Sequence, residues 1–461
     1  MDITKQDPKS GFSRFDRRSF LRSCAVCGAG MAAGSMLPFC SGNKQETGPK
    51  LRIRILYSLH AVRQDRPDWP NLGFDFGPVM ERIDREVSAE NPGFEFDSML
   101  ANGPEEAEKI LKLADSAQVD GYIVFQMNCW NRVVQTVAAS GRPVLYVDFQ
   151  YGGSGGFLVY TAAFLRENTP NVGFVASSHK EDLIAAVKCF AVLKQGGSPS
   201  DFAAATARIR RQGTPPPGDL NLMSDDISLI SPEECVERMK ASRILAVRDQ
   251  DSGPAEPIFG IPMEKVSFAE VNEAWKSADP EQARFVAGGW RRAAEAVIDV
   301  PQETLVNSAA MYLGMKQVLK RHGANAITIN CLGGFYGGHI HAYPCLGFFE
   351  LNNQGLVGAC ECDIRSTATM TAFTALTKGR PGMISDPVID TGKRRIIYAH
   401  CVASNRPFGP QGPPNPFQIL THSEDRQGAS VRSLLPSGYL TTTLEIKPDR
   451  REILLHQAKA V

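Results

Sequence analysis

VDGYIVFQMNCWNRVVQTVAASGRPVLYVDF, running from Val119 to Phe149, decides the fold. Its first nine residues, VDGYIVFQM, read as a strand of the buried type. NRVVQTVAASG then places apolar residues at helical spacing, and PVLYVDF (143–149) is strand again. Strands apolar on both faces belong to a parallel sheet covered by helices on each side. The alternation continues outward in both directions. LRIRILYSL (51–59) and FEFDSML (94–100) read as strands, EEAEKILKLADSAQ (105–118) as a helix and NVGFVAS (171–177) as a strand. RILAVRD (243–249) opens a second set, followed by helical EQARFVAGGWRRAAEAV (281–297) and TLVNSAAMYLGMKQVLKRHG (304–323) and by the strand in ANAITINCLG. From Arg394 onward strand signals dominate: RRIIYAHCVA, PFQILTH, YLTTTLEI and REILLH, separated by proline loops such as GPQGPPNP. RQGTPPPGD (211–219) reads as a surface loop near a boundary. The expectation is an α/β protein. Two doubly wound α/β domains (50–240 and 241–365) are followed by a C-terminal β-rich domain (366–461), barrel-like and apparently truncated. YGGSGGF (151–157) has neither GxGxxG nor a Walker lysine and reads as a mobile loop.

Lys+Arg 50 balances Asp+Glu 50, so no net basic charge recommends a nucleic-acid partner. Composition and length are those of an ordinary globular enzyme. The N-terminus reads as an address. DRRSFLR (16–22) resembles a twin-arginine export signal, and the Gly/Ala-rich stretch after it is too weakly apolar for a comfortable membrane span. Residues 1–42 are therefore set aside as the signal region. The expected location is periplasmic, with the twin-arginine translocase as a partner during export. Cys40 in LPFCSG is a poor candidate for lipidation, because bulky Phe39 precedes it. The Cys24/Cys27 pair lies inside the signal. The eight later cysteines lie in apolar segments without zinc-knuckle spacing and read as small buried hydrophobes.

GACECDIRS (358–366) sets two acids, Glu361 and Asp363, among apolar residues. On a strand they share one face, where like charges repel and resist burial. A cation or a shared proton would resolve the conflict; so would a strand that emerges into solvent at Glu361. Downstream, TMTAFTALTKGRPGMISDP reads as a helix, a turn and an approach to Asp386, and His400 stands at a strand end in RRIIYAHC. Glu361, Asp386 and His400 form an oxygen-and-nitrogen set that suits Mn²⁺ or Mg²⁺ better than a thiolate-rich zinc site.

These stretches, together with YPCLGFFELNNQGLVGACECDI, LTKGRPGMISDP and THSEDRQG, resemble the L-fucose isomerase/L-arabinose isomerase superfamily. The resemblance covers most of the chain after the signal and is strongest from Ala324 to Gly438. It implies aldose–ketose isomerisation through an enediol. Mn²⁺ or another divalent cation would be held by Glu361, Asp386 and His400, with Glu361 and Asp386 moving the proton and Asp363 contacting substrate. It also implies a homo-oligomer acting on a small sugar. The family's last metal-binding histidine, near the end of its C-terminal domain, has no counterpart here, since His456 sits in a different context. An exported sugar isomerase is also a departure from the family's pattern. Further substrate contacts are expected from His339 and His341 in GGHIHAYP, from His422 in THSEDRQG and from Trp69 in the loop after the first strand. For each, an ordinary loop or packing role stands beside the functional one. The competing readings of the whole chain are an exported, non-catalytic carbohydrate-binding protein on the same scaffold and a periplasmic solute-binding protein without a metal.

Overall fold

The computed structural model describes residues 49–248 and 251–461. The export signal, Cys40 and the Cys24/Cys27 pair lie outside the described residues. No described helix is long and apolar enough to cross a membrane.

The first sheet contains β1 (Leu51–Ser58), β2 (Phe94–Ala101), β3 (Gly121–Gln126), β4 (Val144–Asp148) and β5 (Val172–Val175), in the order β2-β1-β3-β4-β5. All neighbours are parallel. Every residue of β3 and β4 is buried, as the two-sided apolar runs require. Separate apolar clusters fill the two faces, one around Ile53, Ile55 and Phe125, the other around Leu56, Val124 and Tyr146. Arg54 interrupts the apolar run of β1, yet it is only 1% exposed. Its guanidinium donates to Asp97 (2.6 Å), Asp115 (2.8 Å) and Ser116 (3.1 Å), so the charge is paired before it is buried.

YGGSGGF is not a mobile loop: its second half opens the helix Ser154–Arg166. The glycines let this helix start close against the end of β3, because a Cβ at Gly153 would collide with the Gln126 carbonyl.

The second sheet contains β6 (Ile244–Val247), β7 (Gly253–Ile258) and β8 (Ile261–Val266). The chain then gives β9 (Ala296–Ile298) to a separate sheet before returning as β10 (Ala326–Ile329) and β11 (Val357–Ala359). The order is β11-β10-β6-β8-β7, parallel except for the antiparallel edge strand β7. The helix expected over 281–297 stops at Ala293, and its last apolar residues become β9. The helix Ile364–Leu376 packs against β10 and β11. The β-rich part that follows is three open pieces. These are the hairpin β12 (Asp386–Asp390)–β13 (Arg395–Ala399), the sheet of β14 (Phe417–Leu420) and β15 (Ser430–Ser433) with β9, and the hairpin β16 (Leu440–Lys447)–β17 (Glu452–Lys459). Among the described residues these sheets do not close into a barrel. Phe417, Ile419 and Val431 share one apolar core with β6, β10 and β11, so the middle piece is an extension of the second layer.

Candidate active site

Strand β11 ends at Ala359, before the two acids. Glu361 and Cys362 take left-handed backbone angles (φ 63° and 52°), a conformation costing on the order of 1 kcal/mol or more for residues with a Cβ. The turn is held by the Cys362 amide, which donates to the Ile329 carbonyl at the end of β10 (3.0 Å). Asp363 then becomes the N-cap of Ile364–Leu376. It accepts from the Ser366 amide (3.0 Å) and the Ser366 hydroxyl (2.5 Å). The expected strand over Glu361–Asp363 is therefore corrected. The acids do not share a face, and Asp363 caps a helix. The like-charge conflict is relieved because the backbone turns between them.

The β12–β13 hairpin brings in the remaining groups. Asp386 pairs with Ala399 in the ladder, which puts His400 beside it. His400 Nδ1 lies 3.3 Å from Asp386 Oδ2, but no aligned hydrogen bond satisfies this buried nitrogen. One donor atom each from Glu361, Asp386 and His400 lie within 4.8 Å of one another. All three open onto a cavity of about 1460 Å³, whose wall also includes Trp69, His422 and Glu424.

The surroundings set unusual proton affinities. Burial, followed by repulsion from Asp386, raises the Glu361 carboxyl from the usual 4.5 to about 7. Burial alone would lower His400, but Cys401 and Asp386 outweigh it and hold the imidazole well above its ordinary value. In His422 the same contest, with Asp425 as the main partner, ends at about 10. Burial raises Glu424. Two carboxylates and an imidazole nitrogen without a hydrogen bond, one carboxylate reluctant to ionise, make a donor set that fits a hard divalent cation.

Trp69 is carried by the loop after β1, at the carboxyl end of a parallel sheet where ligands collect. Its carbonyl accepts from Asn128 Nδ2 (2.8 Å), its amide donates to Asp68 (2.7 Å), and Asp68 in turn pairs with His60 (2.8 Å). The loop Thr421–Ala429 adjoins the Trp69 loop. Leu72 donates to the Glu424 carbonyl (2.8 Å) and Arg426 to Asn71 (3.0 Å). Glu424 accepts from the Tyr336 hydroxyl (2.9 Å), and Asp425 from that of Tyr343.

His422 is thus in the cavity wall, though only 6% exposed. His339 and His341 are not in that wall. They sit in an exposed loop, not a strand, stacked on Phe268 (5.5 Å) and tilted against Trp275 (6.2 Å). Both rings pack against helix Phe268–Lys276, away from the wall in which the other expected sugar contacts, Trp69 and His422, lie. Glu424 was missed as an individual residue, although it stands in the THSEDRQG stretch. Lys393, Arg394 and Arg395, together at the β12–β13 turn and also in the wall, carried no signal beyond ordinary surface charge. His456 reaches the wall too, from β17.

No protein-family model matches the chain. Sulfoquinovose isomerases of Priestia aryabhattai and Priestia megaterium are 25% identical to it over 148 residues, 32% of this chain and 32% of theirs. The sulfoquinovose isomerase of Alkalicoccus urumqiensis is 22% identical over 156 residues, 33% of this chain and 34% of its own length. The chain spans about a third of the length of the curated relatives it matches. Over that third it is a distant homologue of sugar isomerases.

Proposed function

We propose that the protein is an aldose–ketose isomerase acting on a monosaccharide or sugar derivative, with Glu361, Asp386 and His400 holding Mn²⁺ or another divalent cation. The reading is carried by one observation: the turn after β11 and the β12–β13 hairpin deliver these side chains to within 4.8 Å in the wall of a cavity large enough for a sugar. The distant sugar isomerase relatives support it. When bound, the cation supplies electrostatic stabilisation of oxygen charge that develops at C1 and C2. The remaining chemistry belongs to the side chains. A carboxylate takes the proton from C2, and the opposite carboxyl protonates the carbonyl oxygen at C1, giving the enediol. Return of the proton to C1 and loss of the C2 hydroxyl proton give the ketose, with no net gain or loss of electrons. Glu361, beside Asp386 and His400 in the cavity wall, is placed to make this exchange. Trp69 offers an apolar face for the sugar ring.

The name of the relatives, sulfoquinovose isomerase, favours a sulfonated sugar among the candidate substrates. Export by the twin-arginine route and assembly into a homo-oligomer complete the proposal. The test is incubation of the Mn²⁺-loaded protein with neutral, carboxylated and sulfonated aldoses in D₂O. NMR should show deuterium entering at C2, abolished by Glu361→Gln. Metal binding without exchange on any sugar would replace the isomerase with a carbohydrate-binding role.

A further inference from the structure

Behind the carboxylate set lies a second group of side chains. Cys331 and Cys345 begin the helices Cys331–Tyr336 and Cys345–Asn353, Cys360 follows β11, and Cys401 follows β13. Cys331, Cys345 and Cys360 are 2%, 1% and 3% exposed. Cys331 Sγ and Cys360 Sγ are 2.9 Å apart. The Cys401 thiol is in contact with Cys345, Cys360, His400 and His422. One donor atom each from Cys360, His400 and Cys401 lie within 4.8 Å of one another, and all three residues reach the cavity wall.

Three other thiols are treated differently. Cys129, Cys189 and Cys235 each donate to a single backbone carbonyl, those of Gly152, Ala185 and Ala372. A small hydrophobe needs no convergence of four segments onto one point. Sulfur and imidazole together select thiophilic ions, and two thiolates with one histidine form a known zinc donor set that leaves a further position open.

We propose that Cys360, Cys401 and His400, backed by Cys345, form a second cation site selective for thiophilic ions of the Zn²⁺ or Cu⁺ class, and that His400 is shared with Glu361 and Asp386 so that one ion excludes the other. Binding breaks two S–H bonds, forms two metal–sulfur bonds and releases two protons to solvent, with no change of oxidation state. The thiol site stands without the isomerase reading; only the exclusion of a hard cation rests on it. The pocket then discriminates between ions by which partners His400 keeps, and a thiophilic ion acts as an inhibitor.

The test uses the full chain, reduced and stripped with chelator, with Cd²⁺ as the probe. One equivalent should produce a thiolate-to-metal charge-transfer band in the ultraviolet. Cys360→Ser and Cys401→Ser should each abolish it, whereas Cys129→Ser and Glu361→Gln should keep it. If both cluster variants fail to fold, X-ray absorption at the zinc edge of the wild-type protein decides, with sulfur neighbours at about 2.3 Å expected. For the shared histidine, Cd²⁺ added to the Mn²⁺-loaded protein should restore the paramagnetic resonance signal of free Mn²⁺. Absence of the band in reduced protein, its survival in both cluster variants, or a native Cys331–Cys360 disulfide would overturn the site. Cd²⁺ binding through thiolates without Mn²⁺ release would overturn the sharing. Failure of Mn²⁺ to bind at all would overturn the sharing and count against the isomerase reading, while the thiolate band would still decide the sulfur site alone.

Discussion

Glu361→Gln should stabilise the metal-free protein at neutral and alkaline pH, although it removes a proposed catalytic group. The Glu361 carboxyl rises from 4.5 to about 7 on folding. At about 1.36 kcal/mol per pH unit this corresponds to roughly 3 kcal/mol. Glu361 is exposed in the cavity wall, so screening reduces the expected penalty to about 1–2 kcal/mol. The sign follows from proton counts. Below pH 4.5 both states hold the proton and the glutamine gains nothing. Between 4.5 and about 7 the unfolded chain has lost the proton while the folded one keeps it, so wild-type stability falls as pH rises. Above about 7 the penalty is constant. Urea denaturation of both proteins in chelator, from pH 4 to pH 8, should show their difference opening across this window and then levelling off. Saturating Mn²⁺ at pH 8 should reverse the order, because an ion that binds only the folded wild type adds about 2.7 kcal/mol at a hundred times its dissociation constant. A difference that is flat with pH, or a metal-free wild type that gains stability from pH 5 to 7, would refute the reasoning.

Asp363→Ala should cost about 1 kcal/mol of stability through loss of the helix cap and leave Mn²⁺ affinity unchanged; a large loss of affinity in a metal titration would return Asp363 to the site. Trp69→Ala should raise KM for the accepted sugar about fivefold, from ~1 kcal/mol of lost stacking, with kcat little altered, as steady-state kinetics would show. Arg54→Ala should destabilise the first sheet by about 3 kcal/mol, and Arg54→Met by less, because methionine refills the buried space while Asp97 and Asp115 turn to water. Equal losses in chemical denaturation would mean that the charge, not the volume, matters there.

The α/β alternation was legible because β3 and β4 are apolar on both faces, and only a sheet covered on both sides accepts such runs. Strands β7 and β8 escaped notice: GPAEPI and IPMEKV are short, polar and broken by proline. Strand β9 was hidden at the end of an apparently continuous helical pattern, since its three residues are strand only through pairing with β14, more than a hundred residues later. Glu361, Asp386 and His400 could be named from residue type, but local periodicity misread how Glu361 is presented. A strand pattern puts Glu361 and Asp363 together, whereas the left-handed turn at 361–362 separates them.

The sequence by itself determined the layered α/β architecture and the kinds of side chain available for chemistry, because burial periodicity and donor type are properties of short stretches. Only the tertiary structure decided which of those side chains meet. The turn that aims Glu361, held by the Ile329 carbonyl, and the gathering of four cysteines behind His400 depend on contacts between segments distant along the chain. Such contacts are fixed by the packing of whole layers, and no local pattern encodes them.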